Sequence, residues 1–572
     1  MTNSLRDSFI CLCSIGVLAL AGCSSDDETV QTNTNSTDTA GLNSTDVDST
    51  DTTQPFVLGD LTEPFDAPTL EELRDSTEWI EKPVVDVYEL MTDRKKNEPA
   101  LLSAGEALAL RNNTPEDNDK IVSGLGTLPV DGEVDYSASW TRHTAGDIKS
   151  TNPLMASSTA EFDVGGLINL SLFSFDWNFT PYANTDTVVS WQTSSDGLMD
   201  MVIMRDDLTW SDGTRITAHD IEYSYQVIMS SAIPIPAVRS GTDQLKGVKA
   251  YDDHTVVFFH NEPLATNVWN TFFPFIPKHK FIDTIADDPT LASSPAHVEL
   301  DLNPVTAGAY TISKRERGQE IILKRRDSYH TVNGEQVRRK PHFETVRFKI
   351  IENPNTALLS MKKGDLEEMM LTPEQWKSQT NDDEFYKFNT KSYALEWVYY
   401  YFGWNFRSPF FKDKRVRQAM GYAFNHQELL EKHRFGMDEA STGIFHRTSP
   451  WAPKVALEAY QQDLDKAEEL LAEAGWEDTD NDGILDNIVE FDNDFDGTPE
   501  GKTRRPFEFT ILTSNRPDRI AICTLLQENL DQIGIRCNVK PVEFTTLQAT
   551  MREHKFHAVF GGWGTGADPD TS

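Results

Sequence analysis

"LTWSDGTRITAHDIEYSYQVIM", Leu208 to Met229, spells a strand, a turn and a helix in one line. Leu208 and Trp210 alternate with a polar neighbour, as at the end of a half-buried strand. Ser211-Asp212-Gly213 combines a side chain that bonds nearby backbone with a residue free to take positive φ, so the chain turns there. Thr217 then offers an N-cap, and Asp220 three residues later is a short-armed capping-box partner. Turn and cap together account for the polar residues, which assigns the block to the fold and not to a site.

The same reading extends outward. "GVKAYDDHTVVFFHN", Gly247 to Asn261, is strand, turn, strand, with Val256 and Phe258 facing one way and Val257 and Phe259 the other. "LDKAEELLAEAGW", Leu464 to Trp476, is an amphipathic helix closed by Gly475. "PFEFTILT", "RIAICTLLQENLDQIG" and "IRCNVKPVEF" form a β-α-β unit between Pro506 and Phe544, the usual source of a parallel sheet. Alternating strands and helices after Glu133 define a mixed α/β protein. Residues 59–130 carry helical spacing interrupted by Pro and Asn-Asn-Thr-Pro, and are read as a helical extension of unassigned role.

Composition removes several function classes. The 572 residues include 52 Lys+Arg against 91 Asp+Glu, a formal charge of -39, which repels nucleic acid and anionic lipid alike. At the N-terminus, Arg6 precedes the apolar run "FICLCSIGVLALAGC", shorter than the roughly 20 residues a spanning helix needs. Its end, Leu20-Ala21-Gly22-Cys23, resembles a bacterial lipobox, so residues 1–22 are read as a lipoprotein signal peptide and Cys23 as the lipidated residue. Residues 23–58, nearly all Ser, Thr, Asp and Asn at first, are a disordered acidic tether. Cys523 and Cys537 then remain in the folded part. Pairing in an oxidising envelope and two separate buried thiols are both open.

"YYYFGWNF", Tyr399 to Phe406, places Tyr399, Tyr401 and Gly403 on one strand face and Tyr400, Phe402 and Trp404 on the other. Together with "LTWSDGTRITAHDIEYSY", "GVKAYDDHTVVFF", "PVTAGAYTISKRERGQEIILKRRDSYH", "FRSPFFKDKRVRQAMGYAFNHQELL", "LDKAEELLAEAGW" and the terminal "FGGWGTGADPD", this strand resembles the extracellular solute-binding proteins of family 5, the oligopeptide, dipeptide and nickel receptors of ABC importers. The segments keep the family's order across residues 133–570.

The resemblance implies a two-lobed periplasmic-binding-protein-like fold of type II, with mixed sheets and a hinge. It places the first lobe at 131–348 and the second at 349–572, and has the lobes close on a solute, a peptide first, for delivery to an ABC permease and its ATPase. It implies a monomer without catalytic residues, attached to the membrane by lipid only. It also places the aromatic strand along the cleft, so that Tyr399, Tyr400, Tyr401, Trp404, Asn405, Trp563 and Asp568 are expected to bind ligand. In peptide-binding members an Asp three residues after the Trp pairs with the ligand's α-ammonium. Here that position is Gly566, with Asp568 two residues on. Relatives continue past this point for on the order of a hundred residues and return to the first lobe, so the chain reads as truncated at Ser572.

The insertion 478–500, "DTDNDGILDNIVEFDNDFDGTPE", twice opens like a calcium loop. Asp478, Asp480, Asp482 and Asp486 fill positions 1, 3, 5 and 9 of the first, but Val489 holds the bidentate position. Asp492, Asp494 and Asp496 begin the second, where Thr503 holds it. A calcium-stiffened hairpin and a solvated acidic turn are the two readings, and no cofactor is required for either. Nucleophile elbows, phosphate-cradling loops and zinc-protease helices are absent from the sequence. His554 and His557 are read as surface histidines. The alternatives to the receptor are a calcium-dependent envelope scaffold or adhesion protein, a receptor for a non-peptide solute, and an envelope hydrolase.

Overall fold

The computed structural model describes residues 56–564 except 127–133, 157, 450, 456, 494, 496, 543–545, 548–549 and 552. The signal peptide, Cys23 and most of the tether lie outside that range. The Ser211-Asp212-Gly213 turn forms around Gly213, at φ +87°, with Thr214 N donating to Asp212 Oδ1 at 3.1 Å. Asp220 accepts from Thr217 N at 2.9 Å, and the helix Ala218–Ile228 buries Ile221, Tyr225 and Ile228.

That helix covers one face of a five-stranded antiparallel sheet in the order Trp79–Glu81, Val188–Ser194, Met199–Met204, Thr255–His260, Leu245–Ala250. Val256 and Phe258 join the large core on the helix side, while Val257 and Phe259 join a smaller cluster on the other. A mixed four-stranded sheet follows, ordered Tyr310–Glu316, Glu320–Arg325, Thr345–Ile350, Ser139–Thr144, with only the last pair parallel. These two sheets, with a three-stranded one ordered Val84–Val85, Pro181–Asn184, Phe173–Phe175, form the first lobe.

The second lobe is built on four strands ordered Val398–Trp404, Ala558–Gly564, Glu508–Ser514, Arg536–Val542. The last three are parallel and the first is antiparallel to its neighbour. The helix Pro517–Asp531 makes the β-α-β crossover and buries Ile522, Cys523, Leu526 and Leu530 in the lobe's core. Cys523 and Cys537 are free and buried, and burial pushes both thiols up to about 12. Arg415 and Arg417 brace this lobe, donating to Glu473 O at 2.6 Å and Phe411 O at 2.7 Å.

Three boundaries differ from those read in the sequence. Phe56 and Leu58 pack against the first-lobe core, because these apolar residues have a surface to cover, so the tether ends before them. Residues 59–126 hold four helices but also two strands: Trp79–Glu81 extends the five-stranded sheet, and Val84–Val85 runs parallel to Pro181–Asn184. Short strands two or three residues long carry too little periodicity to show in sequence. Finally, residues 365–393 stay with the first lobe. Glu368 O accepts from His143 N at 3.0 Å and Arg142 pairs with Glu368 at 3.0 Å, so the chain leaves that lobe after Tyr393 and not at 349.

Candidate functional site

The aromatic strand pairs with the terminal strand so that Tyr399 faces Trp563, Tyr400 faces Gly562 and Tyr401 faces Gly561. Glycine is required there by close approach. A Cβ on Gly562 would lie 2.6 Å from Tyr400 Cδ1, and one on Gly561 would lie 3.1 Å from Tyr401 Oη. The "GGW" sequence therefore lets two tyrosine rings lie flat across the neighbouring backbone. Trp563 Nε1 donates to Tyr401 Oη at 2.9 Å, and the rings of Tyr399 and Tyr401 are 5.9 Å apart. On the other face Tyr400 stacks on Phe560, with ring centroids 6.1 Å apart, while remaining 42% exposed.

A row of aromatic rings continues from this floor into the first lobe. Trp397, just before the strand, meets Phe179 edge-on at 5.1 Å, and Phe179 touches Phe175 at 5.9 Å, which in turn meets Trp269 at 5.6 Å. Beside Tyr400 sits a charged cluster. Arg434 pairs with Asp438 and Arg516 with Asp518 at 3.0 Å. Glu396 keeps solvent contact, yet the protein packed around it, with Asp438 nearby, raises its carboxyl pKa.

Arg519, on the first turns of the helix Pro517–Asp531, completes the group. It is 7% exposed, its guanidinium lies 5.4 Å from the Tyr400 ring, and its Nε has no hydrogen-bond partner. Among the described residues it has no ion-pair partner either. Asp518 lies within electrostatic reach of Arg519, but no carboxylate bonds its guanidinium among the described residues.

These groups gather at the carboxyl ends of the parallel strands, where open α/β sheets bind ligands. The family model for bacterial extracellular solute-binding proteins, family 5 Middle, matches residues 185–572. The chain belongs to this family. Among family-5 relatives it is 27% identical over 391 residues to the oligopeptide-binding protein AppA of Bacillus subtilis, covering 65% of this chain and 64% of AppA, so the match spans a little under two thirds of that protein. The solved structure of Bacillus subtilis AppA in complex with a nonapeptide superposes with TM-score 0.63 at 26% identity, over 77% of this chain and 81% of that one. NikZ from Campylobacter jejuni in complex with Ni(L-His) superposes with TM-score 0.58 at 22% identity, over 76% and 78%, and shares the two-lobed fold.

Within this family-5 frame the expected ligand residues separate. Tyr399, Tyr401 and Trp563 come together on one face of the strand pair, while Tyr400 is exposed on the opposite face beside Phe560 and Arg519. Trp404 joins neither group, because its ring packs 4.7 Å from Phe411 and 6.2 Å from Phe509 in the core. Asn405 is 7% exposed and its side chain is used by the fold. Its Nδ2 donates to His554 O at 2.7 Å and Phe556 O at 2.8 Å, and its Oδ1 accepts from Arg407 N at 3.0 Å. Gly566 and Asp568 lie outside the described residues.

In the acidic insertion, carboxylate oxygens of Asp478, Asp480 and Asp482 lie within 4.8 Å of one another and are exposed. Asp478 also accepts from Gly483 N at 3.0 Å, so the Asp-x-Asp-x-Asp-Gly turn is formed. Asp486 is not a fourth ligand. It accepts from Thr479 Oγ1 at 2.6 Å, pairs with Arg504 and is 7% exposed. Asp492 is 6% exposed and accepts from Gly497 N at 2.7 Å, while Asp494 and Asp496 lie outside the described residues. His557 departs from the surface reading. Ser408 lies 3.0 Å from its Nδ1, and burial lowers its pKa to about 4.

Proposed function

We propose that this chain is the substrate-binding component of an ABC importer, capturing a peptide between its lobes and handing it to a membrane permease and ATPase. The supporting observation is the open end of the aromatic strand, with Tyr399, Tyr401 and Trp563 on one face and Tyr400 beside the guanidinium of Arg519 on the other. Flat aromatic faces accept side chains of many kinds, and a buried arginine supplies a charge-assisted bond to a carboxylate. With Gly566 at the position where peptide-binding members carry an Asp, recognition shifts from the ligand's amine toward its acid end. The solute is taken up and released unchanged, so binding itself is the activity. AppA, solved with a nonapeptide, supports the peptide over other solutes.

The lipid anchor at Cys23, an envelope location, a monomeric state and a calcium ion held by Asp478, Asp480 and Asp482 belong to the same reading. No helix among the described residues is long and apolar enough to cross a membrane. Calorimetric titration of the full chain with a mixed nonapeptide pool, as free acids and as C-terminal amides, tests the reading. Free acids bind more tightly, and Arg519→Gln removes the difference. Absence of binding by either pool contradicts it.

A further inference from the structure

The extension preceding the family-model match follows the first lobe as a belt. Leu61 N donates to Met229 O at 3.0 Å, Trp79–Glu81 adds an edge strand, and the Arg94 guanidinium lies 4.1 Å from the Trp177 ring. The belt ends on residues 376–393, the last stretch before the chain crosses to the second lobe. There Arg111 pairs with Asp383 and lies 5.3 Å from the Tyr386 ring. Asn112 Nδ2 donates to Lys391 O at 2.9 Å and to Asn118 Oδ1 at 2.8 Å. Asn118 Nδ2 donates to Tyr393 O at 3.0 Å, and Asn118 Oδ1 accepts from Tyr393 N at 2.9 Å.

Asn118 thus serves both backbone groups of Tyr393, as a neighbouring strand would. Asn112 and Asn118 are 7% and 4% exposed, so water does not compete for these bonds. The segment they grip is itself stiff. The Lys391 ammonium, in a residue 5% exposed, donates to Trp376 O at 2.8 Å, Thr380 Oγ1 at 2.9 Å and Asn381 Oδ1 at 2.7 Å. Ser392 to Glu396 are exposed, the last backbone held by the clamp is that of Tyr393, and Val398 begins the aromatic strand.

We propose that the Asn112–Asn118 clamp is an interlobe brace. It ties the crossover backbone to the first lobe, confines bending to Ala394–Trp397, and thereby sets the balance of open and closed lobes. A protein whose binding-competent state is a fraction of the population binds more weakly by that fraction, so the belt tunes affinity without touching solute. Asn112 and Asn118 lie outside residues 185–572, while the backbone they hold lies inside them.

The test needs no solute and stands apart from the peptide reading. Spin labels on Val189→Cys and Ile488→Cys, exposed positions one on each lobe, report the interlobe distance distribution of the full chain. Asn118→Ala broadens the distribution and speeds amide exchange at residues 390–398 by about tenfold or more. Asn118→Asp, which keeps the acceptor and loses the donor, falls between. Should Asn118→Ala not fold, Arg111→Ala, which removes the ion pair to Asp383 and the contact with the Tyr386 ring, shows a smaller broadening in the same direction. Faster exchange at 390–398 with an unchanged distance distribution overturns the proposal, as does an unchanged distribution in Arg111→Ala where that variant is the one read.

Discussion

Thr255–His260 and Val398–Trp404 are both short strands rich in aromatic and β-branched residues, yet every residue of the first is buried and none of the second is fully so. The first lies inside the five-stranded sheet with apolar clusters against both faces, and the Nε2 of its His260 is held by Asp200 at 2.8 Å. The second is an edge strand that enters the core only through Phe402 and Trp404. Its first half runs beyond the core, and among the described residues the hydroxyls of Tyr399 and Tyr400 have no hydrogen-bond partner. The first strand is closed on both faces and serves as scaffold, whereas the second leaves rings and hydroxyls open at the carboxyl ends of its neighbours.

The contrast can be broken most forcefully by truncating one ring on each strand. Phe258→Ala, at a fully buried position, lowers unfolding free energy by about 3–5 kcal/mol in denaturant titration, while Tyr400→Ala lowers it by about 1 kcal/mol and removes nonapeptide binding. Equal destabilisation by both would erase the distinction. Gly562→Ala acts through shape. The added methyl forces the Tyr400 ring away from the sheet, costing about 1–3 kcal/mol, with weaker peptide binding in the same titration.

A smaller effect follows from pH. Burial holds His557 near a pKa of about 4, below its unfolded value of 6.5. The unfolded chain therefore binds the extra proton between those values, so stability is full above pH 6.5 and declines as pH falls toward 4. Thermal unfolding across that window shows the decline, and His557→Gln flattens it. The smallest effect belongs to the acidic insertion. Calcium raises the melting temperature by only about a degree or two, because it stiffens one hairpin, and Asp480→Asn abolishes the shift. Collapse of the whole fold on chelation would favour a calcium-dependent scaffold instead.

Much of this was legible in the residues. The Asp212-Gly213 turn, the Thr217 cap and the two-faced Val256–Phe259 strand are local devices, and local chemistry decides them. The site was legible only in part. Alternation separates Tyr399 and Tyr401 from Tyr400, but cannot say where along the strand the core ends, so it does not set apart Trp404 and Asn405, whose side chains are engaged by the fold. Phe179 and Trp397 meet across more than two hundred residues of sequence, and nothing local announces such a contact. Arg519 did leave a trace: it occupies the same helical stripe as Ile522, Cys523 and Leu526, an interior position for a charged side chain.

If the open end of Val398–Trp404, with Trp563 and Arg519, holds a peptide, native mass spectrometry of the full chain after equilibration with a mixed nonapeptide pool finds peptide retained on the unaltered protein and none on the folded Tyr401→Ala/Trp563→Ala double variant. Equal retention by both would rule out a peptide site at this end of the strand.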